Sequence, residues 1–314
     1  MSEPIVRWVA SGAPRLLGDI AADLGAGGAA ALADGRVFVD GRRVTEASVV
    51  VPVGSVLEVY ALRNVDRDVT VLAEHAGFVF VDKPPGLATE PDHAGVEASV
   101  VARVAERLGV ARSELHALSR LDVGVSGVVT LARSAEAREQ AARLRERGAW
   151  RRRYVALSCG APEPESGTWD QALLRPRATR SGRHAERAAS TRYALSGTAG
   201  PVFVPSRAGN AEVRPALLAL APVTGRTHQL RLHAAGAGVP LLGDGTYGGP
   251  ERLVLASGAV RPLERVALHS AWVELELAGR KLRILAPIPP ELGALWQALG
   301  GDEQAWARAV ELEL

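Results

Sequence analysis

The stretch "SRLDVGVSGVVTLAR", Ser119 to Arg133, sets Asp122 directly before a glycine-containing turn that Ser126 and Gly127 close. The apolar run that follows predicts a buried strand. An aspartate in this position usually bonds its own backbone and shapes the turn. Whether Asp122 is a turn residue or a reactive group can be judged only from the other segments of the sequence.

Strands and helices surround this stretch without a regular alternation. Helices are predicted in "SVVARVAERLG", capped by Ser99, in "SAEAREQAARLRERG", capped by Ser134, and in "RTHQLRLHAAGAG". Strands are predicted in "GFVFVDKPPG" up to Asp82, in "RRRYVALSCG", in "AEVRPALLALAPVTG" and in a hairpin turned near Gly279. This mixture favours an α+β fold over a doubly wound one.

The first 65 residues predict a small separate module. Two short helices, the second ended by Gly35, precede a hairpin at Asp40-Gly41 and a strand pair turned at residues 52–54. A boundary is expected within residues 61–70, before a main domain of residues 71–292. Residues 293–314 predict a helical tail, and packing on the body is expected through Leu292, Leu295 and Trp296.

Composition bounds the class of protein. The 314 residues are 47% hydrophobic and 23% charged with a net charge of +2, as in ordinary globular proteins. With no apolar run of membrane-spanning length and no signal-peptide pattern, a cytoplasmic location is expected. The only cysteine, Cys159, excludes an intramolecular disulfide and a cysteine-rich metal site. At a predicted strand end, it is expected to be buried and structural.

Arginine is concentrated in one part of the chain. The block comprises Arg143, Arg145, Arg147, Arg151, Arg152, Arg153, Arg175, Arg177, Arg180, Arg183, Arg187 and Arg192. It is either a solvated helix face with a loop or an electrostatic footprint for phosphates, and the block alone favours neither. Lysine occurs only at Lys83 and Lys281.

Four segments follow one another along the chain: "VFVDKPPGLATEP", "SRLDVGVSGVVTLAR", "RRRYVAL" and "PVTGRTHQLRLHAAGAGVPLLGDGTYG". In this order they resemble the motifs of RluA-type pseudouridine synthases. The resemblance covers residues 71–292 and implies a mixed, largely antiparallel central sheet with flanking helices. The N-terminal module resembles the S4-like RNA-binding domain that often precedes this catalytic domain.

The resemblance implies roles for individual residues. Asp122 corresponds to the catalytic aspartate, Tyr154 to the tyrosine stacked on the target base, and Arg231 to the arginine paired with the aspartate. Arg120 corresponds to the side chain that fills the space left by the displaced base. RNA contacts are expected from Arg151, Arg152, Arg153 and Arg226, and in the module from Arg36, Arg42 and Arg43.

The implied reaction turns uridine in RNA into pseudouridine and needs neither metal nor cofactor. An ionised Asp122 could attack the sugar, or stabilise a cationic anomeric carbon and take a sugar proton, and both routes stay open. Arg231 should keep the carboxylate charged and oriented. The nucleotide must leave its stack, which Tyr154 and Arg120 would support. Ribosomal RNA is the first expected substrate and transfer RNA the second, and a monomer is expected.

The remaining polar residues of the last motif have structural interpretations. His228 and His233 are expected to make structural hydrogen bonds rather than to act as bases. Thr227 is predicted to cap the helix after a turn shaped by Thr224 and Gly225. Gly243-Asp244 is expected to form a turn that positions Tyr247.

The sequence departs from the family pattern beside the aspartate. Ser119 stands in place of a histidine and Val125 in place of a threonine, while His116 lies three residues too early to substitute. The module is also rich in alanine and glycine where the family is basic. Two rival functions follow: a non-catalytic RNA-binding or remodelling protein with the same fold, and a hydrolase using Asp122 with His228.

Overall fold

The computed structural model describes residues 6–24, 26–40, 42–60, 68–92, 95–173, 187–206, 209–255, 258–277 and 279–314. Part of the arginine block, at positions 175, 177, 180 and 183, therefore lies outside the described residues. The same holds for most of the predicted domain boundary, residues 61–67.

Residues 6–60 build two small sheets and two helices around their own apolar core. The elements are β1 (Val6–Val9), β2 (Arg15–Leu16), α1 (Leu17–Asp23), α2 (Ala26–Ala33), β3 (Val37–Val39), β4 (Arg42–Val44), β5 (Val50–Val51) and β6 (Val56–Val59). The sheets have the orders β1-β6-β3-β4 and β2-β5. The two predicted helices and the hairpin at Asp40 are confirmed, and Gly35 follows α2 at a positive φ of 69°.

The predicted pairing of the strands around residues 52–54 is wrong. Strand β5 pairs with β2, whereas β6 pairs with β1 and β3. Pro52 has no amide hydrogen for a ladder, and Gly54 turns at a φ of 86° and donates to the Ala10 carbonyl oxygen. The chain thereby leaves one sheet and enters the other. This unit contacts the remainder of the chain where the Val96 amide donates to the Asp34 carbonyl oxygen over 2.7 Å.

Residues 68–314 contain the large sheet and its helices. In chain order the elements are β7 (Thr70–His75), β8 (Phe78–Lys83), α3 (Val100–Leu108), β9 (His116–Ala117), β10 (Ser126–Ala132), α4 (Ala135–Glu146), β11 (Trp150–Ser158), β12 (Ser166–Trp169), β13 (Thr191–Thr198), β14 (Val202–Ser206), β15 (Gly209–Val213), β16 (Ala216–Pro222), α5 (Gln229–Gly236), β17 (Arg252–Val254), β18 (Val260–Pro262), β19 (Leu268–Leu277), β20 (Arg280–Leu285), α6 (Pro290–Ala298) and α7 (Gln304–Glu311). Single 3-10 turns cover Arg112–Glu114 and Gly245–Tyr247.

The large sheet has the order β12-β13-β16-β11-β19-β10-β8-β7, with β20 joined to β19 and β9 to β10. All of these pairings are antiparallel except that of β10 with β19. At this parallel contact Gly127 approaches Ser270 so closely that a Cβ on the glycine would overlap the Ser270 carbonyl oxygen. The predicted α+β class with a mixed, largely antiparallel sheet is confirmed.

Two sequence-based assignments in this part need correction. The run "AEVRPALLALAPVTG" forms two strands, β15 and β16, because Pro215 lacks the amide that would continue one ladder. Strand β15 belongs to a second sheet of order β15-β14-β17-β18. Ser126 and Gly127 are not turn residues, since they begin β10.

The predicted helix starts at Ser99 and Ser134 are confirmed. The Ser99 hydroxyl accepts from the Ala102 amide and the Ser134 hydroxyl from the Ala137 amide. Near the end of the chain, α6 and α7 pack against one face of the sheet and bury Leu292, Trp296 and Trp306. None of the helices in the described ranges is long and apolar enough to cross a membrane.

Candidate active site

Asp122 lies in the loop between β9 and β10, and hydrogen bonds from the loop after β8 to the main chain of its neighbours hold it in place. The Gly86 amide donates to the Val123 carbonyl oxygen over 2.7 Å. The Thr89 hydroxyl accepts from the Leu121 amide at 3.0 Å and donates to its carbonyl oxygen at 3.1 Å. Both residues next to Asp122 are therefore fixed through their backbone, which leaves the carboxylate to be aimed by its own partners.

A buried lysine completes this support. Lys83 is fully buried, and its ammonium donates to the carbonyl oxygens of Pro84, Leu87 and Val123 at 3.0, 2.6 and 3.2 Å. A compact charge with three rotatable donors suits three converging carbonyls better than a planar guanidinium does. Sequence reasoning missed this residue, although it is one of only two lysines in an arginine-rich chain.

Arg231 on α5 joins two carboxylates. Its Nη1 donates to Asp122 Oδ2 over 2.9 Å. Its Nε and Nη2 bind both oxygens of Asp244 at 2.8 and 2.7 Å. The side chain of Asp122 is 27% exposed and that of Asp244 only 1%. The arginine is therefore anchored by a buried carboxylate on one side and presents its remaining nitrogen to an accessible one.

The two carboxylates stabilise the charged form of the arginine. Burial alone would lower the pKa of the Arg231 guanidinium, but hydrogen bonds and charges from Asp244 and Asp122 outweigh it and raise the pKa above its usual value. The predicted pairing of Arg231 with Asp122 is present. Asp244, expected only to shape a turn, was missed as the anchor of this arginine, because no spacing rule joins a turn aspartate to a helix thirteen residues earlier.

His228 and Tyr247 stand beside the same carboxylate. His228 Nδ1 and the Tyr247 hydroxyl lie 2.7 Å apart, and His228 Nε2 lies 3.7 Å from Asp122 Oδ1. The Arg231 guanidinium carbon is 4.9 Å from the centre of the Tyr247 ring. Burial raises the pKa of Tyr247. The positive charge of Arg231 opposes this shift, and the negative charges of Asp244 and Asp122 add to it.

The start of α5 differs from the prediction. Its N-cap is His228 at a φ of 55°, so Thr227 does not cap it. The Gln229 amide oxygen instead accepts from the Arg226 amide at 2.9 Å and from the Thr224 hydroxyl at 2.7 Å. A side chain of the first helical turn thus holds the preceding loop.

His233, on the same helix, is buried away from the carboxylate. It bonds the Thr191 hydroxyl and the Gln171 carbonyl oxygen at 2.9 and 3.2 Å. Burial lowers its pKa, so the ring is favoured in its neutral form. These contacts agree with the predicted structural role.

Strand β11 directs neighbouring side chains to opposite faces of the sheet. Tyr154 packs in the same core cluster as Leu121 and Val125 of the Asp122 loop, while Val155 belongs to the cluster on the side of α6 and α7. The alternation of side chains that a strand imposes is thus observed around Tyr154.

The arginines before Tyr154 are held differently from one another. Arg152 donates to the Thr224 carbonyl oxygen over 3.0 Å, beside the turn that leads to α5. Arg153 donates instead to the Leu312 carbonyl oxygen at the end of the chain. Arg151 is exposed.

An open cleft of about 2510 Å³ brings most of the predicted site residues together. Basic side chains outnumber acidic ones along its walls, so the cleft is suited to a polyanion. Arg120 is 68% exposed and pairs with Glu90 at 3.4 Å. The predicted residues in the walls are Asp122, Tyr154, Arg231, Arg120, Arg151, Arg152, Arg153 and Arg226.

The predicted module arginines do not line this cleft. Arg36 is buried and bonds Asp34 and the Tyr60 carbonyl oxygen, which argues against an RNA contact by its side chain. Arg43 is partly buried over the Phe38 ring, and burial lowers its pKa. Of the three, Arg42 is the one whose residue is exposed.

The departures from the family pattern serve the loop itself. The Ser119 hydroxyl accepts from the Thr130 amide over 3.1 Å and so fastens the loop to β10. Val125 is 2% exposed within the core cluster.

Cys159 is only partly buried, in contrast to the predicted buried cysteine, and burial raises the pKa of its thiol. Within the described ranges, no three His, Cys, Asp or Glu side chains are grouped to share a metal ion.

Comparisons with known proteins point to one family. Residues 77–236 match the RNA pseudouridylate synthase model. The chain is 34% identical to the mitochondrial pseudouridylate synthase RPUSD4 of Xenopus tropicalis, over 66% of this chain and 72% of that protein. It is 27% identical to the ribosomal large subunit pseudouridine synthase D of Vibrio vulnificus, over 87% of this chain and 86% of that protein.

Among solved structures, the human RNA pseudouridylate synthase domain containing 4 resembles this chain with a TM-score of 0.55 at 22% identity. The likeness covers 73% of this chain and 92% of the human one. At this identity the comparison establishes the shared fold.

Proposed function

We propose, since this chain belongs to the RluA-type RNA pseudouridine synthases, that it isomerises specific uridines of ribosomal RNA with Asp122 as the catalytic carboxylate. The family's reaction breaks the bond from the ribose C1′ to N1 of uracil and joins C1′ to C5. The hydrogen of C5 is lost and N1 gains a proton, so no external reductant or oxidant is needed.

One observation carries the proposal: the Asp122 carboxylate is aimed by Arg231 into a basic cleft. Its Oδ2 is held at 2.9 Å, whereas Oδ1 has His228 Nε2 at 3.7 Å, beyond hydrogen-bond distance. One oxygen is thus held by the arginine and the other is available to the sugar. The hydrogen bond from Arg231 fixes the orientation of the carboxylate in this partly buried place.

Base flipping is supported by the side chains on either side of this carboxylate. Extruding a uridine from folded RNA costs a few kcal/mol. Tyr154 lines the cleft with only 6% of its surface exposed in the free protein, and we expect its ring to stack on the extruded base. Arg120 is exposed and weakly held, so it can move into the vacated stack at little cost. Arg151, Arg152 and Arg226 would contact the phosphates of the surrounding RNA.

Ribosomal RNA is proposed as the substrate class because a relative that aligns over 87% of this chain is named a ribosomal large subunit synthase. Mapping pseudouridines in a deletion strain against its parent would identify the uridine. Sites lost from large-subunit ribosomal RNA would support this substrate, and sites lost only from transfer RNA would contradict it.

The two rival functions are less well supported. A non-catalytic RNA-binding protein would have no use for an arginine anchored by one carboxylate and aimed at another. A hydrolase using Asp122 with His228 lacks a direct hydrogen bond between them, since Nε2 and Oδ1 are 3.7 Å apart.

The test is tritium release from transcribed large-subunit ribosomal RNA labelled at uridine C5. The native protein should release tritium, and Asp122→Asn should abolish release while RNA binding survives. Asp23→Asn is the matched control, because this exposed aspartate pairs only with Arg15 among the described contacts. Release that persists in Asp122→Asn would overturn the assignment of Asp122.

A further inference from the structure

Arg153 is buried without a full set of partners. It is 4% exposed, and its Nη2 donates to the carbonyl oxygen of Leu312. Its Nε and Nη1 are buried with no acceptor among the described residues. A guanidinium has five N–H donors, so a single neutral carbonyl leaves most of a buried charge unsatisfied. Such an arrangement is costly unless something else binds there.

The segment that covers Arg153 is "ELEL", residues 311–314. Leu314 offers its carbonyl oxygen to Arg192 at 3.2 Å, and Glu311 pairs with Arg283 at 3.1 Å. Three arginines from three strands therefore converge on one short acidic segment. The same segment lines the cleft that contains Asp122.

The electrostatics of this cluster are unfavourable as it stands. Burial, followed by the charge of Arg283, lowers the pKa of Arg153 to about 10, and the charge of Glu311 opposes the shift. Arg153 and Arg283 also lie against the same ring, with guanidinium carbons 5.4 and 4.6 Å from the centre of Trp272. Arg283 is also paired with the buried Glu274 at 3.0 Å, whereas Arg153 has no carboxylate partner among the described residues. An anion with several acceptor oxygens is therefore favoured next to Arg153.

We propose that Arg153, Arg192 and Arg283 form a binding site for RNA phosphates, and that residues 311–314 cover it and are displaced when RNA binds. This inference rests on the proposed function. A phosphodiester brings a full negative charge and several acceptor oxygens, which would meet the unpartnered nitrogens of Arg153 better than the Leu312 carbonyl does. The carboxylate of Glu311 and the carbonyl oxygens of residues 312 and 314 take the place of that phosphate in the free protein.

The first test removes residues 311–314 and measures the binding of transcribed large-subunit ribosomal RNA. The shortened chain ends at Val310, whose carbonyl oxygen accepts from Trp272 Nε1, so this contact of α7 with the sheet is kept. We expect the affinity to rise about fivefold at 0.15 M salt, because the RNA no longer has to displace Glu311 and the two carbonyl oxygens from the arginines. Equal affinity of the two chains would overturn the site.

The matched control places Arg153→Gln in both chains. Removal of residues 311–314 also removes two acidic side chains, and their general effect on RNA affinity acts in either background. Without the buried guanidinium, the remaining gain should be less than about twofold and the salt dependence should change little. A gain that persists in full in the Arg153→Gln background would overturn the assignment of Arg153.

Hydrogen exchange of the full-length protein tests displacement without any truncation. The Leu312 amide donates to the Arg308 carbonyl oxygen at 2.8 Å in the free protein, so RNA binding should speed exchange of the Leu312 amide. Slower or unchanged exchange in the complex would overturn displacement. Tritium release by the native protein distinguishes failure of this site from failure of the proposed function. If tritium is released but RNA leaves the exchange of the segment unchanged, this site alone is contradicted. If the protein neither releases tritium nor binds RNA, the proposed function is contradicted.

Discussion

Arg231 binds Asp244 through two nitrogens and Asp122 through one, so the buried carboxylate rather than the accessible one fixes the orientation of the arginine. A planar guanidinium held on its Nε and Nη2 edge has its Nη1 direction determined. The position of Asp122 Oδ2 is therefore set by Asp244, which is buried and does not line the cleft.

Asp244→Asn should therefore lower turnover more than RNA binding. The variant keeps one acceptor but loses the charge, so Arg231 would rotate and misplace Asp122, and a displacement of about 1 Å can cost about 10²-fold in rate. We expect kcat to fall by about that factor, with the Kd for RNA changed by less than about threefold. Tritium release and RNA binding measured on the same preparations check this.

A double variant separates positioning from a general structural effect. If Asp244 acts through Arg231, Arg231→Gln combined with Asp244→Asn should lose little more activity than Arg231→Gln alone. Additive losses would contradict the proposed chain of contacts from Asp244 to Asp122.

Lys83→Met should destabilise the fold and disturb the Asp122 loop. Removal of the ammonium leaves three carbonyl oxygens without their common donor, at a cost of about 2–4 kcal/mol in the free energy of unfolding. Lys83→Arg should also be unfavourable, because a planar fork does not fit a fully buried site built for a compact ammonium. Urea unfolding measures both variants.

The control for this position is the other lysine of the chain. Lys281 is exposed, so Lys281→Arg should change the free energy of unfolding by less than about 0.5 kcal/mol. If Lys83→Met proved as stable as the native chain, the three carbonyl contacts would have no energetic role in the fold.

The roles of residues that belong to a sequence motif could be predicted from the sequence. The roles of residues that support the site through tertiary contacts could not. Asp122 and Arg231 are 109 positions apart, yet the motifs predicted their contact. Asp244 and Lys83 were missed as supports, because a buried polar contact depends on tertiary packing that no local pattern encodes. The prediction for β5 and β6 failed for the same reason: the turn between them was recognised, but not that the chain changes sheets there.

Val125→Thr, which restores the family pattern, should lower stability here. Val125 is 2% exposed among apolar neighbours, so the new hydroxyl would be buried, at a cost of about 1–3 kcal/mol. Val50→Thr makes the same change at an exposed valine and should stay within about 0.5 kcal/mol. Equal unfolding free energies for the two variants would mean that the Val125 site can supply a hydroxyl partner.

His269 should make the fold sensitive to acid. It is fully buried, its Nδ1 lies 2.9 Å from the Ser126 hydroxyl, and burial lowers its pKa from 6.5 to about 3. Between these values the unfolded chain binds a proton that the folded chain does not, so stability is lost as the pH falls, by up to about 1.4 kcal/mol per pH unit. Asp82 has the opposite slope, because burial raises its pKa from 3.8 to about 6.

The contribution of His269 is isolated by comparison with His269→Asn, which keeps an acceptor for Ser126 and does not titrate. At pH 7 the native chain should be the more stable, since Asn fills the buried site less well. At pH 5 that advantage should shrink by about 2 kcal/mol, because only the native chain loses stability through this histidine, while Asp82 affects both chains equally. Urea unfolding at the two pH values measures the difference. An advantage that stays constant between pH 7 and pH 5 would mean that His269 is protonated as readily in the folded chain as in the unfolded one.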